Sequence, residues 1–263
     1  MIANYHTHTP LCHHAQDSER EYVETGIARG LKILGFSDHS PYIFPGEYYS
    51  GHRMFPEWTE KYFRTLTDLQ AEYKKEIEIH IGFEMEYYPE LFEKTLRFLE
   101  SYPCEYLILG QHFLDNEYDT GIYSGSESDK AARLKHYVNQ TLDGLRTGKF
   151  TYLAHPDLVR FSGDQKIYRR EITRLCREVK AMGLPLEINA LGLQTNRHYP
   201  CDKFFSIAAE VGNPVIIGCD AHDADSVAHP EIYRQCLEFA KKHGLEVWET
   251  VPLRGLKSEA FLK

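Results

Sequence analysis

Nine residues of metal-ligating type recur along this sequence in a regular setting: His6, His8, His14, His39, Glu84, His112, His155, Asp220 and His222. His6 and His8 form His-x-His directly after a short strand-like segment. In an extended chain residues i and i+2 point to the same face, so these two imidazoles converge on one point. Neutral imidazole is the commonest protein ligand for zinc and similar ions. His-x-His alone is a weak signal, because surface and core histidines produce it too. It gains force from the others: all but His14, which sits in the first loop, stand where a short apolar run ends. A zinc-type site takes three or four ligands, so a set of this size implies two or three ions. Closely spaced ions need a carboxylate between them, and Glu84 is the candidate bridge; Glu86 lies two residues further into the loop.

The remaining histidines read differently. His52, His80, His136, His229 and His243 fit surface or hydrogen-bonded roles, since His80 falls mid-strand and His136 and His243 fall within helices. His13 adjoins His14 and is the poorer ligand candidate. His198 suits either a loop surface or a substrate pocket.

Short apolar runs and longer amphipathic stretches alternate to position these residues. Ser18-x-x-Glu21 is a capping box that opens a helix ending near Gly30. The strand at 33–37 leads into Asp38-His39, then a loop rich in aromatics (Tyr42, Phe44, Tyr48, Tyr49). Pro56 starts a helix whose Trp58, Tyr62, Leu66, Leu69 and Tyr73 recur at helical spacing and form a core stripe. The run 77–83 alternates with period two and ends in Glu84, and Pro89 opens the next helix. The strand at 106–110 ends in Gln111-His112, a helix spans about 129–146, and the strand at 151–154 ends in His155-Pro156-Asp157. A helix over 168–182, a strand over 185–188 ending in Asn189, a polar loop with Arg197 and His198, and a helix from Asp202 to Gly212 follow. The strand at 215–218 leads to Cys219-Asp220-Ala221-His222, and a helix over 231–243 and a segment over 246–250 close the chain.

Seven strands thus alternate with helices, and six end in a candidate ligand. An open doubly wound sheet gathers ligands mainly at one switch point. A barrel opens every strand's carboxyl end on one face. The expected fold is therefore α/β: a distorted (β/α)7 barrel of parallel strands in one domain, residues 1–263, with the metal site at the carboxyl ends.

Composition narrows the function classes. The net charge is −9 with no Lys/Arg block, which counts against a nucleic-acid partner. No run of 18 apolar residues and no basic–apolar leader pattern occurs, so neither membrane insertion nor secretion is expected. The six cysteines are scattered without a CxxC pair, which suits reduced thiols in the cytoplasm. Monomer and homo-oligomer both stay open.

The motifs His6-Thr7-His8, Cys12-His13-His14-Ala15, Phe36-Ser37-Asp38-His39, Gly82-Phe83-Glu84-Met85-Glu86, Gly110-Gln111-His112, His155-Pro156-Asp157 and Cys219-Asp220-Ala221-His222 together resemble the PHP (polymerase and histidinol phosphatase) superfamily. Within it, Pro10-Leu11-Cys12-x-His14-Ala15 and Asp38-His39-Ser40-Pro41 resemble the histidinol-phosphate phosphatase branch. The resemblance implies three divalent metal ions, zinc, manganese or iron. It implies His6, His8, Glu84 and Asp220 on the first, Glu84, His112 and His155 on the second, and His14, His39 and His222 on the third. Two departures stand out: Cys219 precedes Asp220 where Ser is more usual, and His13 neighbours His14.

The implied reaction is hydrolysis of L-histidinol phosphate, a small phosphate ester of histidine biosynthesis. Two close metals acidify a shared water, whose hydroxide attacks phosphorus in line while cationic groups take up the oxygen charge. Arg160 and Arg197 are candidates for the catalytic and substrate-binding clamp, because guanidinium meets phosphate oxygens bidentately. Asp38 is the candidate to orient an imidazole from behind, and Asp17 or Glu47 to meet the substrate's ammonium. Competing classes are a broad-specificity phosphoesterase or nuclease acting on nucleotides, oligonucleotides or phosphotyrosine, and a non-catalytic metal-stabilised module. No ligand position is missing, which disfavours the last.

Overall fold

The computed structural model describes residues 1–119 and 121–256. Four parallel strands pair in chain order: β1 (Ala3–Asn4), β2 (Ile33–His39), β3 (Glu78–Met85) and β4 (Tyr106–Leu109). A small antiparallel hairpin of β5 (Phe113–Leu114) and β6 (Ile122–Tyr123) follows, and β7 (Leu186–Asn189) then pairs in parallel with β8 (Val215–Gly218). Parallel bridges from Leu109 to Leu153 and from Leu153 to Leu186 carry the sheet from β4 to β7. A further parallel bridge, Thr7 to Ala221, returns it to the start, with the His8 N–H donating to Ala221 O at 2.9 Å. The seven members form the expected barrel.

The barrel is distorted for visible reasons. The strand expected over 151–154 contributes only Leu153 to the ladder, although Thr151 N–H donates to Leu107 O at 2.7 Å and Ala154 N–H to Leu109 O at 2.9 Å. β1 meets β8 only beyond the ends of both strands, and Val215 at the start of β8 bridges Val247 instead. The 246–250 segment is thus reduced to that single bridge.

The helices are α1 (Glu19–Ala28), α2 (Thr59–Tyr73), α3 (Phe92–Leu99), α4 (Ala131–Arg146), α5 (Gln165–Ala181), α6 (Ala190–Gln194), α7 (Asp202–Val211) and α8 (Pro230–His243). Ser18 and Glu21 form the expected capping box at α1. α5 begins earlier than apolar spacing suggests, because Asp164 caps it by accepting from Lys166 and Ile167 N–H. α6 falls in the stretch expected to be an irregular polar loop, its first turn held by Asn189, which accepts from Gly192 N–H.

Two layers of core hold the ring. Outside it, Phe36, Ile79, Ile81 and Phe83 pack with the α2 stripe of Tyr62, Phe63, Leu66 and Leu69. Each fully buried Phe contributes about 1.5–3 kcal/mol by leaving water. Inside it, Tyr5, Tyr106, Ile108, Tyr152 and Ile216 pack together, and Val251, Trp248 and Leu253 of the C-terminal segment join them. Register then sets the site: His39 lies directly opposite Glu84 across β2 and β3. Glycine at 110 is required for close approach, since a Cβ there would overlap the Glu84 carboxylate.

Candidate metal centre

The carboxyl ends of the strands surround a cavity of about 580 Å³ lined by His14, His39, Glu84, His112, His155, Asp220 and His222. His6 and His8 are fully buried beside it. Glu84 is the hub. Its Oε2 lies 3.6 Å from His6 Nε2, 3.6 Å from His8 Nε2 and 3.1 Å from His39 Nδ1. Its Oε1 lies 2.7 Å from His155 Nε2 and 3.5 Å from His112 Nε2. Asp220 Oδ1 faces His8 Nε2 at 3.1 Å and His6 Nε2 at 3.5 Å. His14, His39 and His222 bring one donor atom each within 4.8 Å of one another.

These positions follow from local structure. Thr9 caps the short turn over Pro10–Cys12, and His13 leaves it in a left-handed conformation. That turn brings His14 back toward the cavity, where its Nδ1 donates to Cys12 O at 2.8 Å. His155 and Asp220 also adopt positive φ at their strand ends, turning the chain abruptly into the site.

A second ring of acceptors fixes how the imidazoles point. Glu187 Oε1 faces His6 Nδ1 at 2.7 Å, Asp38 Oδ1 faces His8 Nδ1 at 3.4 Å, and Glu86 Oε1 faces His112 Nδ1 at 2.8 Å. His222 Nδ1 donates to Asp220 O at 2.9 Å. Each contact leaves Nε2 for a metal. Asp38 also accepts from Thr9 and from the His39 backbone N–H. The ring it turns is therefore that of His8, in the segment that follows β1.

Metal ions fit this donor set. Among the described residues, buried His6 Nε2, His8 Nε2 and Glu84 Oε2 have no hydrogen-bond partner, yet all three meet at one place. A buried polar atom without a partner costs about 1–3 kcal/mol, so a cation at their meeting point resolves several such penalties together. Electrostatics agree. Burial opposes a charge on His6, but Glu187, Asp220 and Glu84 override it and lift the imidazole to about 10. Burial opposes ionisation of Glu84 as well, and the surrounding histidines hold its carboxyl well below the usual range. Burial and the neighbouring His8 push His222 down to about 3, leaving a neutral donor.

The other sequence candidates separate. Arg197 lines the cavity, donating to the Tyr199 hydroxyl at 2.6 Å and to Thr195 Oγ1 at 3.1 Å. Arg160 does not reach the cavity: it lies in an adjoining groove with Arg197 and His198, 52% exposed and 3.0 Å from Glu127. Asp17 is exposed and accepts the Ala224 N–H at 2.9 Å, a turn-holding contact outside the cavity. Glu47 is exposed and likewise outside it. His13 is exposed and packs its ring on Phe55 and Trp58. His52, read as a surface or hydrogen-bonded residue, is exposed and also lines the cavity.

Sequence reasoning missed Glu187, Asn189 and Arg53. Glu187 sits within an apolar run and looked like one polar residue of a strand; its place one residue behind a strand end was the available signal. Asn189 joins it to the site, donating to Glu187 Oε2 and to Asp220 Oδ2, each at 3.0 Å. Arg53 lies in an irregular loop, where no periodicity marks it as buried. Phe113, Tyr123, Leu191 and Tyr199 supply the remaining wall.

Comparison with known proteins accords with this architecture. A probable histidinol-phosphatase of Deinococcus radiodurans is 28% identical over 236 residues, covering 86% of this chain and 88% of that one. A histidinol-phosphatase of Bacillus subtilis is 26% identical over 256 residues, covering 85% and 94%. The crystal structure of histidinol phosphate phosphatase from Lactococcus lactis, complexed with zinc, L-histidinol and phosphate, superposes with a TM-score of 0.69 at 23% identity, covering 97% of this chain and 98% of that one. The sequence model of the PHP domain matches residues 4–191, well over half of the chain and including seven of the nine candidate ligands at strand ends and in the first loop. This chain belongs to the PHP domain family.

Proposed function

We propose that this protein hydrolyses L-histidinol phosphate to L-histidinol and phosphate, as a metal-dependent phosphomonoesterase. The observation that carries the reading is Glu84, one buried carboxylate facing five imidazoles at the floor of a cavity rimmed by an arginine. The relatives named above supply the substrate, since they match this chain over most of its length.

The residues that would hold the ions are His6, His8, Glu84 and Asp220; Glu84, His112 and His155; and His14, His39 and His222. Bound there, divalent ions acidify water and offset the charge of a phosphate. The chain's own contribution is positioning. Glu187, Asp38 and Glu86 hold the imidazoles in the orientation that turns Nε2 inward. Arg197, exposed at the cavity wall, is placed to meet phosphate oxygens with its fork of donors. Tyr199, whose hydroxyl accepts from Arg197, keeps that fork from swinging out. Phe113, Tyr123 and Leu191 give a flat apolar surface for the imidazole of the substrate and exclude water beside it.

The test is a kinetic comparison of histidinol phosphate, a generic aryl phosphate and a labelled oligonucleotide, with elemental analysis of the same protein. Metal-dependent turnover of histidinol phosphate, abolished by chelator and restored by zinc or manganese, is expected. Equal turnover of all three substrates, or full activity without metal, would overturn the reading.

A further inference from the structure

We infer that Arg53 is a positioning residue of the metal centre: it clamps Glu86 against His112 and ties together three of the loops that frame the cavity. The inference rests on the proposed metal-dependent reading of the site. Arg53 is 2% exposed, and every nitrogen of its guanidinium is engaged by the protein. One terminal nitrogen donates to Ser40 O at 3.0 Å and to Glu86 Oε2 at 3.1 Å. The other donates to Glu86 Oε1 at 3.0 Å and also to Glu117 Oε2. Nε donates to Glu117 Oε2 at 3.1 Å.

Three loops meet on this one side chain. Ser40 and Arg53 belong to the loop after β2, Glu86 to the loop after β3, and Glu117 to the turn between β5 and β6. Glu117 is further held by the hydroxyls of Tyr48 at 3.3 Å and Tyr88 at 3.4 Å. The ring of Tyr42 packs on the guanidinium at 5.2 Å, and its hydroxyl donates to Glu86 O.

The link to the metal centre is Glu86. Its Oε1 takes the Arg53 bond and also faces His112 Nδ1 at 2.8 Å. With Nδ1 occupied in this way, His112 presents Nε2 to Glu84 at 3.5 Å. Two carboxylates share a single guanidinium, so the clasp keeps negative charge behind His112. A lysine cannot reproduce it, because an ammonium is a point charge without a fork. Although Arg53 lines the cavity, its committed donors separate it from Arg197, whose place is toward the substrate.

The experiment compares R53K, E86Q and the double variant with the wild type, each as the metal-loaded full chain. Metal affinity is measured by competition with a chromophoric chelator. The visible spectrum of the cobalt-substituted protein reports the ligand field, and kcat and KM are measured in parallel. We expect R53K and E86Q each to weaken the loosest-held metal by about 10–100-fold, the range usual for groups that orient metal ligands. The cobalt spectrum should change and kcat should fall more than KM rises. The double variant should be no worse than the weaker single, because both act through His112. E86Q, which leaves Arg53 in place, gives the same readout where R53K yields no folded protein. Unchanged affinity and cobalt spectrum in both singles, or a rise in KM alone in R53K, would overturn the inference. Loss of metal affinity in a protein inactive on histidinol phosphate would support the clasp while removing the proposed substrate.

Discussion

Glu187 Oε1 faces His6 Nδ1 at 2.7 Å while Oε2 of the same carboxylate accepts the His155 backbone N–H at 2.8 Å. One buried side chain on β7 thereby orients a candidate ligand after β1 and the turn that carries another after Leu153. Replacing it by glutamine keeps the size but removes the charge. Glu187→Gln is expected to lower metal affinity by about 10–100-fold with the fold retained. Gly218 offers an independent route to the same effect, since a Cβ there would overlap the Glu187 carboxylate. Gly218→Ala should therefore reproduce the metal loss. Elemental analysis after dialysis checks both, and full metal content in Glu187→Gln would show that His6 needs no orienting partner.

What could be read from the sequence, and what could not, divides along a physical line. Eight of the nine candidate ligands were legible because each follows an apolar run, and a parallel barrel brings all such ends to one face; His14 was legible from its motif in the first loop. His39 opposite Glu84 is the register that follows from two strands of that kind. Arg53 and Glu117 were invisible because they lie 64 positions apart in irregular loops, where pairing leaves no period to detect. The strand at Leu153 was overestimated for a related reason: an apolar run marks burial, whereas ladder length depends on how its neighbours approach. Asp17 looked like a substrate carboxylate from its loop position alone, and the turn at Ala224 claims it.

The two arginines should part company in kinetics. Arg197 lines the cavity, so Arg197→Met removes a charged donor from phosphate, and contacts of that kind are worth about 1.5–3 kcal/mol. That converts to a loss of about 10–150-fold in kcat/KM, with metal content unchanged. Arg160 is exposed and paired with Glu127, and exposed pairs contribute about 0–1 kcal/mol. Arg160→Met should accordingly change kcat/KM by less than about fivefold. Equal, large losses in both would place Arg160 in contact with substrate through movement of its loop.

The amino-end side of the barrel carries its own pH dependence. His80 Nδ1 lies 2.6 Å from Glu105 and Nε2 lies 3.1 Å from Glu78, while the ring stacks on Tyr5. Burial opposes protonation, but Glu105 and then Glu78 outweigh it and raise the imidazole above its ordinary value. A folded value above the unfolded one means protonation stabilises the fold. That contribution is complete below the unfolded value of about 6.5 and is lost as pH rises through the raised folded value. The stability gap between wild type and His80→Gln, from urea unfolding between about pH 5 and 9, should therefore be widest at the acid end and shrink upward. A gap that is constant, or that widens with pH, would mean the two glutamates do not hold a charged His80.

Substrate preference depends on the apolar wall. Histidinol phosphate adds an imidazole and an ammonium to the phosphate common to all esters. The carboxylates lining the cavity are Glu84, Glu86 and Asp220, and each already faces histidine or arginine. Discrimination is therefore expected to rest on ring contact more than on a dedicated acid. Phe113 and Tyr123 face one another across the β5–β6 hairpin with ring centroids 5.7 Å apart, forming an aromatic pair at the cavity edge. Aromatic contacts of this type add about 0.5–1.5 kcal/mol beyond the area they bury. We expect histidinol phosphate to be preferred over an alkyl phosphate that lacks a ring by at least about tenfold in kcat/KM, equivalent to roughly 1.4 kcal/mol. Tyr123→Ala should erode that preference, whereas Asp17→Asn and Glu47→Gln should leave it intact, because both acids lie outside the cavity. Paired kinetics at saturating metal decide the matter. A preference that survives Tyr123→Ala but collapses in Asp17→Asn would move the recognition site to the first loop.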